Sequence, residues 1–285
     1  MLPTVRTLFI LGRVSNLPTV WANVTVGYCL SGAPLATAQF WRWQIAASLF
    51  YTAGMYWNDA FDAKWDRANA PERPIPSGAI KEFHVWLLGA IQWALAVALL
   101  WSPHAITWAF AVALTLAILL YDALHKKISW APWIMATCRV LLIALAATSM
   151  GTAPTASSLL AALGTGGYIV GLTYIARRER TAGVGSLWPL LFLSAPLVLR
   201  LAASPSPWSA LPVIAVLGFC AWTFWMVRPL LFDDRPHIGK AVGGLLAGLP
   251  LVDAIAVSNG SVLVVGVMGL LFLACLLLQR WIPAT

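Results

Sequence analysis

The residues best suited to chemistry crowd into one stretch, "YWNDAFDAKWDRANAPERPIPSG" (56 to 78), which holds Asp59, Asp62, Asp66 and Glu72 of only 10 carboxylates in 285 residues. Along a helix Asn58, Asp62 and Asp66 stand at i, i+4 and i+8 and share one face, with Asp59 flanking it. Hard oxygen donors in that register suit Mg²⁺, which takes one or two carboxylates together with water and phosphate oxygens. The stretch offers no His or Cys that would favour zinc. A solvated acidic loop is the plainer alternative. Arg67 and Arg73 weigh against it, because the prolines of "RPIPSG" hold basic residues close to the acids. Carboxylates for a metal beside guanidinium groups for phosphate describe a polyphosphate site.

Other polar residues stand out against apolar surroundings. Arg139, in "MATCRVLLIALA", lies well inside an apolar run, where a charge costs roughly 2.5 to 3.5 kcal/mol on insertion scales. Such a residue needs a partner or a wet cavity; snorkelling toward residues 126 to 130 is the alternative. Asn23 suits a cavity wall or a packing role equally, and Asp253 reads as interfacial. The run "DDRPHIGK", with Asp233, Asp234 and His237, could mimic another metal site but matches no known motif.

The elements that must position these groups are membrane helices. The chain is 60% hydrophobic and 10% charged, with a mean hydropathy of +0.81, values outside the range of soluble domains. Ten apolar runs recur, at 15–32, 40–57, 83–101, 104–121, 131–150, 157–175, 187–202, 209–227, 240–257 and 261–281, each about long enough for one crossing. Little sequence separates them, so residues 1–285 read as a single all-α, polytopic transmembrane domain. The N-terminal stretch before Arg13 is too short in apolar residues for a cleaved signal peptide. Cys29, Cys138, Cys220 and Cys275 fall in different runs without disulfide or metal-knuckle spacing, so free, packed thiols are expected.

The net charge of +8 would suggest nucleic acid in a soluble protein; here the positive-inside rule accounts for it and no nucleic-acid partner is expected. With the N-terminus in the cytoplasm, all 18 Lys and Arg except Arg42, Arg200 and Arg139 fall on the cytoplasmic side. Every carboxylate but Asp253 joins them, which places the polar chemistry at the cytoplasmic mouth of an integral membrane protein. Most of the 16 tryptophans lie near segment ends, as interfacial anchors do.

The order Asn58-Asp59-x-x-Asp62-x-x-x-Asp66, then Arg67, Asn69, Arg73 and Pro74, resembles the first aspartate-rich motif of the UbiA superfamily of intramembrane prenyltransferases. "YDALHKKISWAP" is similar to the family's Tyr followed by two basic residues, at Tyr121, Lys126 and Lys127, with one extra residue in the spacing. Asp122 and His125 read as interfacial polar residues. Arg13 and Asn16 resemble polar residues of the family's first helix that face its cavity. The resemblance implies nine core helices around a central cavity, so the run at 261–281 is an addition or a misjudged segment. The chain departs from the family after the sixth run. A second aspartate-rich motif is usual there, whereas "GLTYIARRERTAG" offers Tyr174, Arg177, Arg178, Glu179 and Arg180. Arginines in place of a second metal, or loss of catalysis, are the two readings of that loop. The wording "TYIARRE" is similar to a divergent branch of the superfamily associated with Ebo-type gene clusters.

The resemblance implies a Mg²⁺-dependent membrane prenyltransferase that takes a prenyl diphosphate donor and a lipophilic, electron-rich acceptor. Asn58, Asp62 and Asp66 would hold the metal, with Asp59, Asp62 and Asp66 as the catalytic acids. Arg67, Arg73, Lys126, Lys127, Arg177 and Arg178 would bind the diphosphate, while Arg13, Asn16, Tyr121, Arg139 and Tyr174 would line the cavity or meet the acceptor. A non-catalytic carrier of a prenylated or aromatic lipid is the alternative. A phosphatidyltransferase using a CDP-linked donor is disfavoured, because "RANAPERP" follows Asp66 where an Asp-Gly-x-x-Ala-Arg run would be needed.

Overall fold

The computed structural model describes residues 4–177, 188–203, 209–233 and 237–284. All ten apolar runs fold as helix, including the tenth. In chain order the helices are α1 (Val5–Leu11), α2 (Leu17–Ser31), α3 (Ala38–Asn69), α4 (Glu82–Leu99), α5 (Ala105–Leu124), α6 (Ala131–Ala147) and α7 (Ala156–Arg177). They continue with α8 (Trp188–Phe192), α9 (Ala195–Ala203), α10 (Ala210–Phe232), α11 (Ile238–Ala247), α12 (Leu249–Val257) and α13 (Val262–Leu278). No strand occurs among the described residues. Five spans, Ile238–Val257 among them, are long and apolar enough to cross a membrane, and the protein is a polytopic helical membrane bundle.

Two runs are broken helices. The run at 187–202 divides into α8 and α9, and that at 240–257 is interrupted at Gly248 between α11 and α12; Pro250 at the start of α12 supplies no backbone N–H to continue the ladder. The central helices α2, α6, α7 and α12 pack on one another, while α4, α5 and α10 keep much of their apolar surface outward, as with Val112, Leu116 and Leu120 of α5. Outward leucines and valines are what a lipid-facing helix presents. Gly27 lets α2 and α6 touch: a Cβ there would lie 2.5 Å from the Ala146 Cβ and 2.6 Å from the Ile143 carbonyl.

Helix α3 is the longest element, with 32 residues. Its first twenty, ending at Trp57, are enough to cross a hydrocarbon core of about 30 Å, so its last three turns, with Asn58 to Asp66, project beyond it. The loop that follows is pinned from below. Ile75 and Ile80 are buried with Leu11, Tyr56, Ala63 and Val85 in a small apolar cluster, and the Ser77 and Ile80 amides donate to the carbonyls of Arg73 and Pro74. Gly78, at φ +78°, takes the left-handed turn. Together these contacts hold Arg73 over the end of α3.

Candidate active site

The acids of α3 meet cations supplied by two loops. The Lys126 ammonium lies 2.8 Å from Asp62 Oδ2 and 3.3 Å from Asp66 Oδ1, and it also rests 3.8 Å from the Trp65 ring centre. On the other side Arg73 donates to Asp66 Oδ2 at 3.0 Å and lies 3.9 Å from Asp59 Oδ1. Arg13 comes within 3.6 Å of the same Asp59 oxygen, from a left-handed backbone (φ +42°) that a non-glycine residue adopts at a cost of roughly 1–2 kcal/mol. His125 Nε2 stands 3.2 Å from Asp62 Oδ2. The acids are buried, and Asp66 is 1% exposed.

The neighbouring acids are pushed in opposite directions. Burial alone would raise the Asp62 carboxyl, but hydrogen bonds and charge from His125 and Lys126 outweigh it and hold Asp62 below the ordinary carboxylate range. Burial raises Asp59, opposed by Arg13 and Arg73 and aided by the charges of Asp66 and Asp62. Asp62 is therefore the firmly ionised member, and Asp59 the one that takes a proton more readily.

Several residues sit apart from the expected grouping. Asn58 donates its amide to Asp122 Oδ1 at 3.0 Å. Arg67 is exposed and paired with Glu82 at 2.7 Å, and Lys127 is exposed. Arg177 donates to the carbonyls of His125, Ile128 and Ser129 at 2.7 to 3.0 Å, so it braces the loop that carries His125 and Lys126. Tyr174 packs edge-on against Trp188. Arg178, Glu179 and Arg180 lie outside the described residues.

Two residues read as interfacial belong here instead. Asp122 is 4% exposed and receives Asn58, and His125 reaches Asp62 while stacking on Tyr121, with ring centres 5.0 Å apart. Their signal was the helical spacing: Asp122 and His125 stand three apart at the end of α5 and so share a side that reaches Asn58 and Asp62 of α3. Asp253, also read as interfacial, is 1% exposed and receives a hydrogen bond from Asn23.

Beneath the acids lies a cavity of about 180 Å³. Its walls are mostly apolar side chains of α3, α5, α6, α7 and α11, such as Phe50, Leu114, Leu142, Ile169 and Leu246. The polar exceptions are Arg13, Asn16, Tyr51, Tyr121, Asp122, Cys138, Arg139 and Thr173. Asn16 donates to Tyr51 Oη and, at 2.8 Å, to the Ala284 carbonyl. The segment after α13 thus returns to the cavity rim.

The donor set fits a hard divalent cation bound openly. Asp62 and Asp66 already share one cationic centre, the Lys126 ammonium, which shows that oxygens of both can converge on a positive charge. A closed protein cage is not what they form: among the described residues no cluster of three or more His, Cys, Asp or Glu is arranged to hold a metal. Two carboxylates with the remaining positions left to water and phosphate is the pattern of Mg²⁺ sites.

Fold and site define a helical membrane protein with an apolar cavity next to a cluster of buried, paired charges. The chain matches the UbiA prenyltransferase family over residues 17–228 and belongs to that family. A solved structure described as giving insight into digeranylgeranylglyceryl phosphate synthase in membranes shares the fold: TM-score 0.62, 20% identity, covering 93% of this chain and 99% of that one. No curated protein matches the sequence.

Proposed function

We propose that the protein transfers a prenyl group from a prenyl diphosphate to a lipophilic, electron-rich acceptor at the cytoplasmic face of the membrane. The observation that carries this reading is the joining of Asp62, Asp66, Lys126 and Arg73 on the turns of α3 that follow those lining an apolar cavity, with Arg13 reaching from the cavity wall to Asp59. The likeness to a digeranylgeranylglyceryl phosphate synthase structure supports a lipid-sized donor.

Asp62 and Asp66 would hold Mg²⁺, with Asn58 contributing only if it leaves Asp122. Bound there, the metal supplies charge stabilisation to the departing diphosphate. Lys126 and Arg73, which pair with these carboxylates, would turn their N–H donors to the phosphate oxygens and act on the same charge. In the transfer the C1–O bond of the donor breaks, its electron pair leaves with the diphosphate, and the acceptor bonds to C1 and sheds a proton. Asp59, which takes a proton more readily than Asp62, would receive that proton. The apolar walls keep water from the allylic carbon. Arg177 acts through the α5–α6 loop, as a positioning residue.

The test is release of inorganic diphosphate from geranylgeranyl diphosphate by protein in nanodiscs, with Mg²⁺ and a panel of phenolic and lipid-alcohol acceptors. Mg²⁺-dependent release that disappears in Asp62→Asn is expected. Tight binding of the donor without release from any acceptor mixture would favour the carrier.

A further inference from the structure

The cavity is smaller than the donor proposed for it. At about 180 Å³ it only slightly exceeds an engineered cavity of about 150 Å³ that admits benzene. That is room for one isoprene unit, whereas a geranylgeranyl chain has four. A long donor fits only if part of the wall yields. Most of the wall is stiff, because its side chains stand on α3, α5, α6, α7 and α11, helices packed against their neighbours. The exceptions are Arg13 and Asn16, in the turn before α2, and Ala284, beyond the end of α13.

Ala284 belongs to a short tail that runs from α11 to that turn. Gln279, the C-cap of α13, donates its Nε2 to the Gly243 carbonyl of α11 at 3.1 Å. Three residues on, Ile282 is buried. From Pro283 the chain lies outside any helix. There Ser15 Oγ donates to the Pro283 carbonyl at 3.4 Å, and Asn16 Nδ2 to the Ala284 carbonyl at 2.8 Å. The turn that makes these contacts carries two burdens of its own. Asn16 is buried, and among the described residues its Oδ1 has no hydrogen-bond partner, which is unfavourable for a buried acceptor. Arg13 keeps the left-handed backbone already noted. A stretch of wall seated by so few contacts, on a turn with unmet demands, opens before the helices around it do.

We infer that residues 282–284 form a strap that closes the cavity to all but the shortest prenyl chains, and that it leaves Ser15 and Asn16 when a long-chain donor binds. The inference rests on the proposed function for the identity of the donor. It makes the tail a selectivity device. A short donor binds with the strap seated, so its affinity does not depend on the strap. A long donor binds only the open form, and its affinity is reduced by the fraction of molecules in that form.

The experiment titrates protein in nanodiscs, with Mg²⁺, against geranylgeranyl and dimethylallyl thiolodiphosphate, analogues that resist cleavage, and reads affinity from the rise in melting temperature. The full chain is compared with a chain ending at Arg280. Removing the strap should tighten the geranylgeranyl analogue roughly tenfold or more, the worth of the hydrogen bonds that seat it. The dimethylallyl analogue should change less than about twofold. Ile282→Lys unseats the strap without altering a cavity-lining side chain and should give the same pattern, which keeps the test open if the shortened chain folds poorly. A second readout places Ala284→Cys in a chain whose native cysteines are replaced by serine and follows its reaction with a water-soluble maleimide. Saturating geranylgeranyl analogue should speed labelling severalfold, and dimethylallyl analogue should not. Equal gains in affinity for both analogues, a gain for neither, or labelling that the geranylgeranyl analogue leaves unchanged or slows overturns the inference. Where the geranylgeranyl analogue binds the full chain but these changes are missing, the strap falls and the donor reading stands. Where no form of the chain binds either analogue, both fall.

Discussion

At the scale of single residues, the acids of α3 divide by their partners. Asp62 is clasped by Lys126 and His125, so Asp62→Asn should lower diphosphate release about a hundredfold or more, the loss typical when one preorganised electrostatic contact is removed. Arg67→Ala is the contrast. Its pair with Glu82 is exposed and contributes little, so release should change less than about twofold. A pH test follows from Asp62 as well. Its carboxyl is held below the ordinary value, so the stabilising contribution is fully present above the unfolded carboxylate pKa of about 3.9 and is lost as pH falls through the lower folded value. The difference in melting temperature between wild type and Asp62→Asn should be constant near neutrality and narrow below about pH 4; a gap that narrows between pH 6 and 8 would implicate a different group.

At the scale of elements, the site depends on two close fits. The α5–α6 loop owes its shape to Arg177, whose guanidinium reaches three carbonyls. Arg177→Ala should raise KM for the prenyl diphosphate by weakening the placement of Lys126, and Arg177→Lys should not rescue it, because an ammonium lacks the planar fork. Unchanged KM in both variants would remove Arg177 from any role in the site. The second fit is α2 on α6. Gly27→Val places side-chain atoms where Ala146 and the Ile143 carbonyl already stand, so a loss of about 1–3 kcal/mol or more in stability is expected, read as a lowered melting temperature.

For the whole molecule, orientation is the matter to test. Clustering of Lys and Arg on one set of loops predicts that Ser77 faces the cytoplasm and Thr152 the opposite side. In a chain whose native cysteines are replaced by serine, an impermeant maleimide should label Ser77→Cys from the cytoplasmic side and Thr152→Cys from the other. The reverse pattern would put the acids outside and end the cytoplasmic assignment.

The sequence by itself determined the membrane-spanning helices, because apolar runs of crossing length have few alternatives in a bilayer. It also determined the family, through the order Asn58, Asp59, Asp62, Asp66 and Arg73, since helical spacing places those acids on one face wherever the helix goes. Tertiary structure alone decided which group answers which. Asn58 turned to Asp122, Lys126 crossed from another loop to sit between two carboxylates, and Arg177 spent its donors on backbone carbonyls. Periodicity describes one helix at a time, whereas these pairings depend on the packing of α3 against α5 and of α7 against the α5–α6 loop. The same holds for Asp253: its position in the sequence suggested an interface, but Gly248 and Pro250 break the helix before it, and the fold buries it behind Asn23 and Arg139.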